Sequence, residues 1–440
     1  MGSKKRYLCI ACNEDGYGPS AFAYYLVKAI AGLWENKYKS KYKLTIFVIN
    51  NFAFDFNKTI YDSPGSIVCP VQLAEDSLIG LEKRNGEVHI KKTLTRLKQY
   101  RTHRQEYLNG IQPYLKNCNV AIDIGVPLFV RSARMLQVPH RITLFDHSWT
   151  ETLRMICSKT NIKLYRYNNP PNKNDRKLAE EIAAFIEEDE ACASEVWLFD
   201  RYITPDVFWN HWNRLMSPNK LKNLEGVLGS RNDPKKAWEI LNKHLIDLGQ
   251  KSVPDPFIKG NPKLVLISPG GTPVWAELIS KWIDDLIRNP SLDYIPVFSN
   301  PVAVNKKQTL YIKNKMRQSG YVRWFEFIKG STQQIILPAF DLIVTRAGGG
   351  TVNDALAAGV PFACIEEAQV QVKQIEEACF KNGLISEKGI KLSHFQEDPV
   401  RHMDRFFKNR HTCIDAIHQI KTGAEKKLAE KILSLLDECN

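Results

Sequence analysis

Two short stretches of this 440-residue chain combine residue types that hold anions: Pro269-Gly270-Gly271-Thr272 and Arg346-Ala347-Gly348-Gly349-Gly350-Thr351. Each follows an apolar run and precedes a helical pattern, so its glycines turn a strand into a helix N-terminus. There the leading amides point outwards and the helix carries partial positive charge, an arrangement that holds phosphate. Two such turns in one domain suit a diphosphate. Neither has the G-x-G-x-x-G or G-x-x-x-x-G-K-[ST] spacing, so the dinucleotide and P-loop readings fail. Tight helix packing is the alternative use of a lone glycine pair; three glycines at a strand–helix junction also permit very close backbone approach. Asp146-His147-Ser148, after the strand pattern at 141–145, sets a carboxyl beside an imidazole, groups that move protons near neutral pH. Capping of the next helix by Asp146 is the competing use. Asp123, at the end of the preceding strand pattern, is a further candidate of this kind. Cys9 and Cys12 have redox-motif spacing but lie along an apolar strand, where burial as small hydrophobes is the expectation. Zinc-like Cys/His spacings are absent, as is an Asp-x-Asp pair in a context that demands Mg²⁺.

These residues need a frame. The spacing predicts a basic start at Lys4 leading into an apolar strand over 7–11, a polar glycine-containing loop, then a helix over 20–34 with Ser20 as candidate N-cap and Phe22, Leu26, Ile30 and Leu33 on one face. Strands are expected at 44–50, 120–124, 141–145 and 195–199, with an amphipathic helix over 94–115 and a further helix over 175–191. Gly226–Gly229 closes this first unit, and a helix at about 234–247 with the Pro/Gly-rich stretch 253–262 forms a joint. The pattern then restarts: strands at 263–268, 294–298, 341–345 and 361–365, with a helix from the 269–272 turn to about 288 and another over 351–358. Strands alternating with helices give parallel sheets with helical crossovers, so the expected fold class is α/β, two doubly wound units in series. In such sheets a ligand sits beyond the carboxyl ends of the strands, here in a cleft between the units.

Composition sets outer bounds. With 44% apolar and 25% charged residues, and Gly plus Pro at 46 of 440, the chain is globular rather than disordered, collagen-like or a disulfide scaffold. It lacks a run long enough to span a bilayer, and its N-terminal apolar run is too short for a secretory signal. The expected location is the cytoplasm, with the ten cysteines as reduced thiols. The net charge of +13 is lopsided: residues 1–174 carry 26 Lys+Arg against 13 Asp+Glu, while residues 175–440 carry 35 of each. A basic first part is expected to face something anionic, or simply to be a basic soluble surface. The amphipathic segment 91–116 sharpens this: Leu94, Leu97, Tyr100, Leu108, Ile111 and Leu115 form an apolar stripe, and Lys91, Lys92, Arg96, Lys98, Arg101 and Arg104 crowd the rest. Such a helix can lie on an anionic membrane or turn its stripe into the core.

The stretch from Tyr321 to Leu384 joins several of these pieces in order: Glu326-Phe327-Ile328, Leu337-Pro-Ala-Phe-Asp341, Thr345-Arg-Ala-Gly-Gly-Gly-Thr351, Asp354-Ala-Leu-Ala-Ala-Gly-Val-Pro361, and a glutamine-containing helix start with Gln371 and Gln374. It resembles the donor-binding half of GT-B fold glycosyltransferases that use nucleotide-diphosphate sugars. In motif it is similar above all to the transferase that adds N-acetylglucosamine to the lipid-linked peptidoglycan precursor, and to its relatives among UDP-glycosyltransferases.

The resemblance implies roles. Phe327 and Ile328 fall where the family holds uracil; Arg346 and Gly348, Gly349, Gly350 and Thr351 face the diphosphate, with Gly270, Gly271 and Thr272. Asp354 stands where the family uses Glu on the ribose hydroxyls, and Gln374, or Gln371, meets sugar hydroxyls. Glu366 and Glu377 replace the usual proline and asparagine, which leaves the sugar open. In the first half, Asp15-Gly16-Tyr17-Gly18 is similar to the family's first glycine loop, on the acceptor side, with Tyr17 in place of a His that several relatives use as general base. A tyrosine with a pKa of about 10 is a poor base at neutral pH. Asp146, His147 or Asp15 could take the role, the first two lying where the family has a cleft-lining Glu-Gln-Asn.

The implied architecture is GT-B, two Rossmann-like domains facing across a cleft: an acceptor domain over 1–228, a helix and linker over 229–261, a donor domain over 262–422, and a last helix over 423–440 packed across the junction. The implied reaction is sugar transfer from a UDP-sugar, inverting and without metal or other cofactor, to an acceptor that is anionic or lipid-linked, with peripheral contact on the inner membrane face and no nucleic-acid partner. A UDP-sugar epimerase or hydrolase, and a non-catalytic nucleotide-sugar binder, are the alternatives.

Overall fold

The structure, a computed structural model, describes residues 4–13, 18–51, 53–61, 67–74, 77–84, 87–145, 147–158, 170–268, 276–299, 306–326, 328, 331–366 and 370–438. The chain forms two compact units: Met1–Glu82 with Glu87–Leu228 and Gly423–Asn440, and Lys83–Gly86 with Gly229–Thr422.

In the first, β1 (Lys4–Cys12), α1 (Gly18–Lys37), β2 (Tyr42–Ile49), α2 (Phe54–Ile60) and β3 (Val68–Val71) alternate. β4 (Lys83–Arg84) and β5 (Glu87–Val88) make a separate two-stranded sheet. There follow α3 (Ile90–Leu97), α4 (Tyr100–Leu115), β6 (Val120–Ile124), α5 (Pro127–Met135), β7 (His140–Phe145), α6 (Trp149–Cys157), α7 (Lys173–Glu190), β8 (Glu195–Phe199), α8 (Asp206–Leu215) and β9 (Leu221–Leu224). The sheet runs β3-β2-β1-β6-β7-β8-β9, parallel throughout. Its central strands are near-continuous apolar runs, Leu8–Cys12 and Val120–Ile124, because helices cover both faces.

The second unit contains α9 (Pro234–Asp247), β10 (Lys263–Ser268), α10 (Ala276–Arg288), β11 (Tyr294–Ser299), α11 (Lys306–Ser319), β12 (Arg323–Phe325), β13 (Leu342–Thr345), α12 (Gly349–Ala358), β14 (Phe362–Glu366), α13 (Val370–Lys381), β15 (Ile390–Lys391), α14 (Leu392–Glu397), α15 (Pro399–Asn409) and α16 (Ile414–Gln419). Its parallel sheet runs β12-β11-β10-β13-β14-β15. Trp282, Phe298, Trp324 and Phe406 fill its core. The α/β class read from the alternation of strands and helices is the fold observed. In both sheets the order reverses beside the first strand, at β1/β6 and β10/β13, the position at which doubly wound folds bind ligands.

The last helix, α17 (Glu425–Glu438), returns to the first unit. It packs on α1 and β6 and buries Leu428, Ile432, Leu433 and Leu436, with Lys41 paired to Asp437 at 2.7 Å.

Three local expectations change. α1 begins at Gly18, with Pro19 in its first turn where the missing amide costs nothing. Ser20 is therefore inside the helix rather than its cap, and its hydroxyl receives a hydrogen bond from Asn50 Nδ2 at 3.2 Å. The segment 91–116 is two helices, α3 and α4, divided at Lys98–Gln99. Its stripe, Leu94, Leu97, Tyr100, Leu108, Ile111 and Leu115, is buried, so the core alternative holds and no apolar face is left there for a bilayer. Arg96 pairs with Glu82 at 2.9 Å, and Arg104 forks onto Asp189 at 2.7 and 3.1 Å; Lys91, Lys92, Lys98 and Arg101 stay exposed. No described helix is long and apolar enough to cross a membrane. Cys9 and Cys12 are buried in β1, and burial pushes both thiols up, away from the reactive thiolate.

Candidate functional site

In the second unit the residues that could hold a nucleotide gather at the carboxyl end of β13. Thr345 ends the strand, and its hydroxyl donates to the Arg346 carbonyl at 3.0 Å. The Gly348 amide bonds back to that same carbonyl at 2.7 Å, folding the chain sharply into α12. Gly348 is the N-cap, without a side-chain cap, and the first intrahelical bond runs from the Val352 amide to the Gly348 carbonyl at 3.0 Å. The amides of Gly349, Gly350 and Thr351 are therefore the leading donors of the helix. Val352, Ala355, Leu356 and Ala357 bury its other face, and Gly359 ends it at φ +74°, a left-handed conformation that suits glycine.

Around this turn the strand ends carry hydroxyls. Ser268 of β10 lies beside Thr345 in register, and Ser299 of β11 donates to Ser268 Oγ at 3.2 Å. This buried row was not foreseen; its only signal is a small polar residue closing each apolar strand. One turn into α12, Asn353 and Asp354 are both buried, with Asn353 Nδ2 donating to Asp354 Oδ1 at 3.4 Å. Glu366, at the end of β14, is no solvated loop residue: it accepts from Lys373 Nζ at 2.7 Å, and this partner raises the Lys373 pKa. Gln374 follows on α13, next to the buried Ile375 and Glu376. Glu376 accepts from the Gly389 amide at 2.7 Å, and burial raises its pKa. Ile328 is half-buried, and its carbonyl accepts from the Ser331 amide at 3.2 Å. Thus Arg346, Gly348, Gly349, Gly350, Thr351 and Asp354 form one continuous turn and helix start. Gly270, Gly271, Thr272 and Phe327 lie outside the described residues, as does the side chain of Gln371.

In the first unit the corresponding edge is built by asparagines. Asn13, just after β1, donates Nδ2 to the Gly125 carbonyl at 2.8 Å. Asn50, just after β2, donates to the Asn13 carbonyl at 2.9 Å and accepts from the Ala53 amide at 2.7 Å. Gly18 opens α1; Asp15, Gly16 and Tyr17 lie outside the described residues. Gly125 has φ +79°, and a Cβ there would fall 2.1 Å from Phe145 Cζ, so no other residue fits without moving that ring. Asp123 is buried beneath it, accepting from the Val126 amide and from Thr143 Oγ1. Burial lifts its pKa to about 7.

Asp146 lies outside the described residues. His147 is 7% exposed, with its ring 3.9 Å from that of Phe145 and 5.0 Å from that of Trp149. The cap of α6 is Ser148, whose Oγ accepts from the Glu151 amide at 3.2 Å, so Asp146 is not the cap. Behind it stands a charged cluster that local sequence did not reveal. Glu190, 3% exposed, accepts from the Trp149 amide at 2.9 Å, Thr150 Oγ1 at 2.8 Å and His211 Nε2 at 2.8 Å. Burial opposes charge on His211, but hydrogen bonds to Glu151 and Glu190 outweigh it and lift the imidazole to about 9. His211 with Arg154 and Arg214 in turn draws the Glu151 carboxyl down to about 2 despite its own burial.

No family model matches the chain, and no curated protein matches it in sequence. Solved structures do. A UDP-glucosyltransferase from Polygonum tinctorium capable of glucosylating indoxyl is similar over 100% of both chains, with 11% identity and a TM-score of 0.57. A UDP-glucose:anthocyanidin 3-O-glucosyltransferase solved with UDP is similar over 99% of both chains, with 14% identity and a TM-score of 0.55. A Listeria monocytogenes protein described as a UDP-N-acetylglucosamine 2-epimerase is similar over 98% of this chain and 95% of its own, with 12% identity and a TM-score of 0.50. The chain thus has the GT-B fold of the UDP-glycosyltransferases.

Proposed function

We propose that this chain is a glycosyltransferase that moves a sugar from a UDP-sugar to an acceptor hydroxyl, with inversion and without a metal ion. The observation that carries the reading is the uncapped start of α12 at the switch point of the second sheet, where three consecutive amides lead the helix. A leaving diphosphate gains charge as the glycosidic bond breaks, and fixed amides at a helix N-terminus stabilise that charge without reorganising. Arg346 and the 269–272 turn would share the task. Asp354 would hold the ribose, Phe327 and Ile328 the base, and Gln374 or Gln371 the sugar hydroxyls. The fold shared with a UDP-complexed glucosyltransferase supports UDP as the nucleotide.

For the base, Asp146 and His147 follow β7 at the carboxyl edge of the first sheet, with Asp15 in the first glycine loop as the other site and Tyr17 in place of a histidine. His147 is held among aromatic rings; with Asp146 it would make a carboxylate–imidazole couple. The Lys/Arg excess of residues 1–174 supports an anionic acceptor, a polyprenyl-phosphate lipid or an acidic metabolite, approached from the cytoplasm. Because the stripe of α3 and α4 is buried, any membrane contact there would be electrostatic and reversed by salt.

Thermal-shift titration with UDP-, GDP-, ADP- and dTDP-sugars identifies the donor, since a ligand bound only to the native state raises the melting point with occupancy. Turnover of the stabilising donor follows, with and without acceptor. Stabilisation by none of these donors refutes the donor reading. Rapid turnover of donor alone to UDP and an epimerised free sugar would instead establish the epimerase alternative, which one structural neighbour supports. Tight binding with no turnover over any acceptor would leave a nucleotide-sugar-binding protein.

A further inference from the structure

At the amino-terminal edge of the second sheet, the end of the strands away from the α12 turn, lies a pocket of about 360 Å³. Asp341 precedes β13 and Pro361 precedes β14, and both line it, with the tail of α12 at Gly359. Two arginines enter from elsewhere in the chain. Arg231 is anchored by Nη2, which donates to the carbonyls of Ile417 at 3.1 Å and His418 at 2.8 Å. Arg410 is anchored by Nη1, which donates to the Phe407 carbonyl, and its guanidinium lies 3.6 Å from the centre of the Phe407 ring. Both arginines thus line the pocket with guanidinium groups held by backbone carbonyls.

The acid in the pocket is not paired with either base. Among the described residues the Asp341 side chain accepts from the Leu264 amide, at 3.4 Å, and makes no ion pair with Arg231 or Arg410, although Arg410 acts on it through space. Opposite charges that line one pocket without an ion pair between them can meet different ends of one molecule. Two guanidinium forks match a doubly charged, tetrahedral anion better than a single carboxylate. The Asp341 carboxylate and the Asn232 amide oxygen, whose nitrogen donates to the Gln334 carbonyl at 3.4 Å, are acceptors that suit hydroxyl groups. The volume, near the low end of small-molecule sites, which run from about 300 to 1,000 Å³, suits a phosphorylated monosaccharide better than a nucleotide-diphosphate sugar.

We propose that this pocket binds a small phosphorylated polyol of sugar-phosphate chemistry, its phosphate between Arg231 and Arg410 and its hydroxyls on Asp341 and Asn232. The site is separate from the nucleotide turn and does not rest on the donor reading. α12 nonetheless joins the two: its first residues form the turn and its last line the pocket, about 15 Å apart at 1.5 Å per residue.

The test is calorimetry on the full chain with glucose 1-phosphate, inorganic phosphate and glucose, each with and without saturating UDP. Glucose 1-phosphate is expected to bind saturably whether or not UDP is present, inorganic phosphate more weakly, and glucose not at all. Arg231→Gln and Arg410→Gln should each weaken glucose 1-phosphate by about tenfold or more, the loss of one charge-assisted contact. Asp341→Asn should weaken glucose 1-phosphate while leaving inorganic phosphate unchanged or tighter. If either glutamine variant melts early, Arg→Lys at the same position keeps the charge but loses the fork and should give a smaller loss. Absence of binding, displacement by UDP, or affinity indifferent to both arginines would overturn the proposal. Inorganic phosphate binding as tightly as glucose 1-phosphate would overturn its polyol half.

Discussion

Adding one methyl group at Gly348 separates what the fold needs from what a nucleotide needs. Gly348 has φ −73° and ψ 137°, a conformation open to any L-residue, and a Cβ built there meets nothing nearer than Arg346 Nε at 3.8 Å. The fold should therefore accept Gly348→Ala. The weaker N-cap costs about 0.5–1 kcal/mol, and the lower entropy of the unfolded chain returns about 0.4–1 kcal/mol, so the melting point should move by only a few degrees. A diphosphate on the α12 amides would lie about 2.7–2.9 Å from them, and the methyl stands at the mouth of that contact. Displacing one charge-assisted hydrogen bond loses about 1.5–3 kcal/mol, which is about 10- to 150-fold in Kd. Calorimetry with UDP and with uridine on wild type and variant reads this directly. UDP should weaken by that factor, and uridine, which lacks the diphosphate, should change little. Unchanged UDP affinity in a variant of unchanged melting point would refute the assignment of the phosphates to this turn.

Three further outcomes follow from the same geometry. Asp123 titrates near 7 in the folded chain against 3.8 when unperturbed, so stability should fall as pH rises from about 4 to 7 and level off above; Asp123→Asn, which resembles the protonated acid, should remove this decline, worth at most about 4 kcal/mol, and urea unfolding of both proteins at several pH values checks it. His211 titrates near 9 in the folded chain against 6.5, so its contribution is complete below about pH 6.5 and lost by about pH 9; His211→Gln should be less stable than wild type at pH 6 and lose much less between pH 6.5 and 9, in the same unfolding series. If the base lies after β7, Asp146→Asn or His147→Ala should lower kcat by about 10²–10⁴-fold with UDP affinity kept; full rates in both, with Asp15→Asn inactive, would move the base to the first glycine loop.

The central strands of the parallel sheets were legible because they are near-continuous apolar runs: β8 begins and ends where its Glu195–Phe199 pattern does, and α9 runs from Pro234 after the capping Asp233. Edge strands such as β9 (Leu-Lys-Asn-Leu) and β15 (Ile-Lys) carry no such signal and were missed. The glycine turn before α12 was legible for a similar reason, since three successive glycines and a closing Gly359-Val-Pro361 mark both ends locally. What stayed hidden depends on partners distant in the chain. Ser20 looks like a helix cap until Asn50, thirty residues on, claims its hydroxyl. The acidic run Glu187-Glu188-Asp189-Glu190 reads as a solvated helix end, yet Asp189 and Glu190 are buried, because Arg104 and Arg131 reach the one and His211 the other. The break between α3 and α4 has neither glycine nor proline to announce it.

The return of α17 to the first unit has a kinetic consequence. α1 is made early in synthesis, whereas α17, which packs on it, is made only after Gly229–Thr422. At roughly 5–20 residues per second, translation of that insert takes roughly 10–40 s. For that interval the second unit is being made while the surface of α1 that α17 covers stays open, long enough for a chaperone to bind it or for two nascent chains to meet there. The first unit thus closes only after the second has been made.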